Sequence, residues 1–221
     1  MRTEAEEHLR VIRSLMERAT IYRAISAPAA LIAGVLACVA GFVFAGRGLP
    51  GVAPEYGFKS KWLLVLLIAS VVNTWFLARD AKRRGDPFVS PSMRLALHAM
   101  FPPLLCGAVF AWVCGGSSAV PFWLLCYGLA LLATGHFAPP SLTRLGWPFL
   151  LSGIGALLYT VYIPDSAYVR IMAGKHSAFF LNPGAPWDDY AMAATFGVFH
   201  VIYAACAWPR KSPAAEAAPV L

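Results

Sequence analysis

Three histidines lie in or at the edges of long apolar segments: His98, His136 and His200. Imidazole ligates haem iron and other metals, and it titrates near neutral pH. Two of the three could therefore hold a haem or metal ion, or sense pH. No spacing motif supports such a site, so no cofactor is assigned. The plainer reading is a set of interfacial or hydrogen-bonded histidines. His200 lies deepest in its segment and is the first to test.

Other chemistry is argued against by what the apolar segments lack. No Asp, Glu, Lys or Arg falls in the middle of any of them. Proton-coupled carriers need a buried carboxylate, and ionisable groups inside a membrane are functional suspects by default. The H-E-x-x-H pattern of metalloproteases is absent, as are paired intramembrane aspartates and a Gly-rich phosphate loop. The expectation is a protein that is not an enzyme. The cysteines form no C-x-x-C pair. Cys114 and Cys126 flank a short turn and are either a disulfide or small packing residues. Asn73, beside Ser70 and Thr74, and the Pro102-Pro103 pair are candidate cavity-lining residues. A proline pair removes two helical donors, and the freed carbonyls need partners. Ser152, Gly153, Gly155 and Ala156 form a small-residue face suited to close helix contact.

The elements that carry these groups follow from charge segregation. The chain has 221 residues, of which 59% are hydrophobic and 13% charged. Soluble domains carry about 25% charged residues. Charge-free gaps run from Arg23 to Arg47, Lys61 to Arg79, Arg94 to Arg144, Arg144 to Asp165 and Asp189 to Arg210. A spanning helix needs about 20 apolar residues, so the long third gap suits two spans. Gly115-Gly116-Ser117-Ser118 and Pro121 read as the turn between them. The expected fold is all-α: a polytopic transmembrane bundle with spans near 25–46, 61–78, 95–114, 119–136, 145–163 and 190–208. Pro28 is expected to bend the start of the first span.

Orientation comes from the basic residues. Thirteen of the 18 lysines and arginines fall on one side of this topology, and Arg47, Lys59, Lys61, Arg170 and Lys175 on the other. The positive-inside rule puts the thirteen, with both termini, in the cytoplasm. The expected location is the bacterial cytoplasmic (inner) membrane. The net charge of +7 reads as a topology signal and not as a nucleic-acid surface.

Residues 1–24 are expected to form an amphipathic juxtamembrane helix. Thr3 and Glu6 suit a capping box, and Leu9, Ile12, Met16 and Ala19 share one face. Its Arg13, Glu17 and Arg18 are candidate contacts for lipid, a protein partner or a second copy. Lys82, Arg83 and Arg84 are candidates for anionic lipid in the most basic loop. Residues 164–189 form the largest external loop, and 209–221 a cytoplasmic tail. Similar Trp-Leu-Leu starts at Trp62 and Trp123, with matching Phe-x-x-Pro loops, hint that spans 2–3 and 4–5 are duplicated hairpins.

Short motifs along most of the chain carry a resemblance. They are Met16-Glu17-Arg18-Ala19, Pro102-Pro103-Leu104-Leu105, Tyr127-Gly128, Met192-Ala193 and Phe196-Gly197-Val198-Phe199-His200. Together they resemble an uncharacterised family of small six-helix integral membrane proteins, as in Acidobacteria-like genomes. The resemblance implies membership and a six-helix fold only, with no catalytic residues to carry over. The external loop near 164–189 is longer than in that family.

Three functions stay open on the sequence. One is a non-enzymatic regulatory, scaffolding or sensory role through the cytoplasmic face. The second is a small-solute permease or channel built around Asn73, Pro102 and Pro103. The third is a haem- or metal-binding redox protein using the histidines.

Overall fold

A computed structural model describes residues 7, 25–85, 87–113, 119–135, 138–162 and 186–208. The expected N-terminal helix with Arg13, Glu17 and Arg18, His136, Cys114, most of the external loop and the C-terminal tail lie outside the described residues.

The described residues are helical, without strands. α1 is Ala27–Cys38, continued by a π-helical turn, Val39–Val43. α2 is Pro54–Arg84, α3 is Pro91–Val113, α4 is Ala119–Ala133 and α5 is Pro140–Tyr162. α6 is built of Pro186–Met192, a π-helical stretch Ala193–Phe199, and His200–Ala207. Each apolar segment of the sequence is thus one rod. Among the described residues three stretches are long and apolar enough to cross a membrane: Tyr56–Arg83, Met93–Phe110 and Asp188–Ala207.

Local chemistry sets the ends. Ser26 caps α1, its Oγ accepting from the Ala29 N–H at 3.3 Å. Pro28 then falls in the first turn, where no helical donor is lost, so it opens the helix instead of bending it. We expect Ser26→Ala to cost about 1 kcal/mol. A thermal melt in detergent should show a small drop, and Ser26→Asn should recover most of it. α2 begins at Pro54 and ends at Gly85, whose φ of 72° gives the left-handed stop. It has 31 residues and is about 46 Å long, against about 30 Å for a hydrocarbon core. The charges at Lys61 and Arg79 limit the apolar run but do not end the helix, so α2 outruns the expected 61–78 at both ends. Ser90 Oγ accepts from the Met93 N–H at 3.2 Å and starts α3. α3 runs on through Pro102 and Pro103.

Small residues decide which helices meet. α4 and α5 form the closest pair. A Cβ on Gly128 would lie 2.6 Å from the Leu150 nitrogen, and one on Gly153 2.6 Å from that of Leu125. Gly155, on the same small-residue stretch, faces open space. α1 and α6 also touch backbone to backbone. Gly34 sits against Gly197 and Val201, and Gly41 against Asp189 and Ala193. The two π-helical stretches therefore lie within one interface.

The first hairpin differs from the second. α2 packs on α1 and α3 packs on α4, while α2 and α3 do not pack closely on each other although they are consecutive. Large apolar side chains cover their outer faces; Leu67 and Val71 of α2 are each 61% exposed and Phe101 of α3 62%. An apolar face of that extent needs a non-aqueous partner.

Candidate binding cavity

A cavity of about 460 Å³ lies between α1, α2, α3, α4 and α6. α5 stands behind α4 and does not line it. The wall is mostly apolar and partly aromatic, with Trp62, Trp123, Tyr127 and Phe196 as its largest members. Small residues on three helices, Ala37, Ala69 and Gly107, make the space. This fits the common pattern of a ligand site: a concave apolar chamber with few polar groups.

The principal polar feature is a dyad. The Tyr127 hydroxyl is 2.9 Å from His200 Nε2, and His200 Nδ1 is 2.8 Å from the Phe196 carbonyl oxygen. A carbonyl can only accept, so in the neutral imidazole Nδ1 carries the proton. Nε2 then accepts from the Tyr127 O–H. At the end of the π-helical stretch the His200 backbone N–H turns to the Gly197 carbonyl, three residues back, while the ring Nδ1 reaches the Phe196 carbonyl. Phe149 of α5, fully buried, holds the dyad from behind, with ring centroids 4.7 Å from Tyr127 and 5.5 Å from His200.

A second network closes one part of the wall. Lys61 Nζ and Asp189 Oδ2 are 2.7 Å apart, with side chains only 7% and 2% exposed. Asp189 Oδ1 accepts from Trp62 Nε1 at 2.9 Å, and Oδ2 accepts from the Gly46 N–H at 2.8 Å. Lys61 also donates to the Phe44 carbonyl at 3.0 Å. The network joins the end of α1, the first turns of α2 and the start of α6. Because Trp62 lines the cavity, Asp189 positions part of its wall. Phe58 supports the neighbouring Trp123 by stacking at 6.2 Å between centroids.

The residues singled out from sequence are dispersed. His200 lines the cavity, and His98 is exposed on α3 and does not. Among the described residues no three His, Cys, Asp or Glu side chains come together as a metal site. Both nitrogens of His200 are engaged, so metal or haem ligation there would have to displace the Tyr127 hydroxyl. Asn73 is occupied elsewhere, its Oδ1 accepting from the Ser26 N–H at 3.3 Å. Pro102 is exposed, Pro103 half-buried, and neither lines the cavity; Leu104 and Gly107 beyond them do. Cys126 lines it as a free, buried thiol, and Cys114 lies outside the described residues. Lys82 and Arg83 are exposed at the end of α2.

Sequence reasoning missed Tyr127 as the partner of His200 and treated Lys61 and Asp189 only as span limits. The one local signal was that both charges immediately flank apolar runs on the same side of the topology. No family model, curated protein or solved structure matches the chain.

Proposed function

We propose that this is a six-span protein of the bacterial cytoplasmic membrane, with both termini in the cytoplasm, that binds a lipid-soluble small molecule between its helices. Its role is sensory or regulatory, not catalytic, and occupancy of the cavity is what it reports at the cytoplasmic face. The observation that carries this reading is the apolar cavity, whose principal polar feature is the Tyr127–His200 pair. The two π-helical stretches support it, since such stretches inside α-helices are frequent at functional sites. The Lys61–Asp189 network supports it too. Both charges are fully engaged and hold the wall together, which suits a receptor better than a conduit.

The test is to ask what the protein carries. Wild-type protein purified in mild detergent should release a lipophilic compound on organic extraction, seen by mass spectrometry. Ala69→Trp, which fills the cavity from α2, should retain the fold and lose that compound. Equal recovery from both proteins would sink the proposal. A haem absorbance band in the wild type would move the assignment to the redox reading. Solute flux through proteoliposomes would move it to the permease reading.

A further inference from the structure

The cavity has a direction of approach and a chemical preference, and both follow from named side chains. Leu63 and Leu66 of α2 and Leu104 of α3 line it, yet they are 55%, 58% and 41% exposed. The same side chains thus belong to the cavity wall and to the outer apolar surface. They stand where α2 and α3 fail to close on each other, so the opening is lateral, between those two helices.

Among the described residues that line the cavity, none is Asp, Glu, Lys or Arg. Lys61, the cation nearest in sequence to the wall, is held by Asp189 and the Phe44 carbonyl. A phosphate or carboxylate head group would enter without a counter-charge, which is heavily disfavoured in an apolar setting. The Tyr127 hydroxyl spends its proton on His200, so its oxygen offers only lone pairs. A ligand group meeting it must be a donor. The aromatic walls of Trp62, Trp123 and Phe196 suit a flat ring, since aromatic rings gain from offset or edge-to-face contact.

Resting on the binding function proposed above, we infer that the occupant is an uncharged membrane amphiphile with a hydroxyl-bearing ring on an apolar tail. It enters from the bilayer between α2 and α3 and donates its hydroxyl proton in a hydrogen bond to the Tyr127 oxygen. The ring lies among the aromatic side chains, and the tail extends towards the lateral opening.

The probes are 4-nonylphenol and 4-nonyltoluene, which differ only by a hydroxyl in place of a methyl. Each is supplied at the same mole fraction in the bilayer of lipid nanodiscs holding the full chain, and bound probe is counted by native mass spectrometry. The phenol should bind about tenfold tighter, the factor that a net hydrogen bond of about 1.4 kcal/mol supplies. Tyr127→Phe should remove the preference while still binding both probes. Uptake from probe-loaded vesicles should slow at least tenfold in a Leu66→Trp, Leu104→Trp variant. Equal affinity of the wild type for both probes, or a preference that survives Tyr127→Phe, overturns the hydroxyl assignment. Unchanged uptake overturns the lateral route. In either case, binding that Ala69→Trp abolishes leaves the cavity as a binding site. If Ala69→Trp changes neither probe binding nor the co-purified compound, the broader proposal falls as well.

Discussion

Lys61→Met should be among the most damaging single substitutions in the described part of the chain. It leaves Asp189 with its Trp62 and Gly46 hydrogen bonds but with an uncompensated charge in a site where the side chain is 2% exposed. Breaking a buried ion pair from one side costs about 3–5 kcal/mol, mostly because the remaining charge stays desolvated. The expected readout is a large loss of the monodisperse peak after mild heating in detergent. A companion variant separates charge from shape. Lys61→Met combined with Asp189→Leu removes both charges and should recover a substantial part of the loss, because apolar replacement of a whole buried pair is often near neutral. The recovery should be incomplete, since the Trp62 indole N–H and the Gly46 N–H lose their acceptor. If the double variant is no more stable than Lys61→Met, the damage arises from packing and the electrostatic account fails. The same variants should lower occupancy of the cavity, because the Trp62 indole forms part of its wall.

The second large effect is expected at the α4–α5 contact. Gly128→Val places a branched side chain where even a Cβ would approach the Leu150 nitrogen to 2.6 Å. Backbone cannot step aside as a side-chain tip can, so the two helices must separate. Overpacking of this kind typically costs 1–3 kcal/mol, and here the cost should reach the upper end of that range. The control is Gly155→Ala. Nothing lies within 4 Å of the added carbon there, and alanine is the better helix former by about 1 kcal/mol. Gly155→Ala should therefore melt at or slightly above the wild-type temperature, and Gly128→Val well below it. Similar melting of the two would mean that the close α4–α5 approach is not what the glycine secures. Since Tyr127 adjoins Gly128 and Phe149 adjoins Leu150, the separation should also loosen the dyad, and phenol preference should fall along with stability.

The contrast between Gly153 and Gly155 illustrates how far sequence reasoning reaches. Both belong to one small-residue run, which reads as a contact face. Only Gly153 meets a neighbour, because positions two apart on a helix point about 200° away from each other. The duplicated-hairpin hint meets a similar limit. Similar motifs occur in α2, from Trp62, and in α4, from Trp123, yet α4 and α5 close on each other through glycines while α2 and α3 stay apart. The gap between α2 and α3 is the entrance that the inferred lateral route uses.

What the sequence alone determined is the part governed by local composition. Among the described residues the six apolar segments are helical, because a helix satisfies the backbone polar groups of a charge-free run internally. Caps and stops at Ser26, Ser90 and Gly85 follow from residue chemistry within one turn. The position of His200 within an apolar run likewise agrees with its burial, at 6% exposure. Only the tertiary structure decided what these groups face. Trp62 and Asp189 are 127 residues apart, and Tyr127 and His200 are 73 apart. Their meeting depends on the rotation of each helix about its own axis. Helices that are apolar on nearly every side carry little periodic signal of that rotation. Hence Lys61 and Asp189 read as mere limits of apolar runs, and Tyr127 as one aromatic among many. The folded chain makes the first two a buried clamp and gives the third a histidine partner at the wall of a cavity.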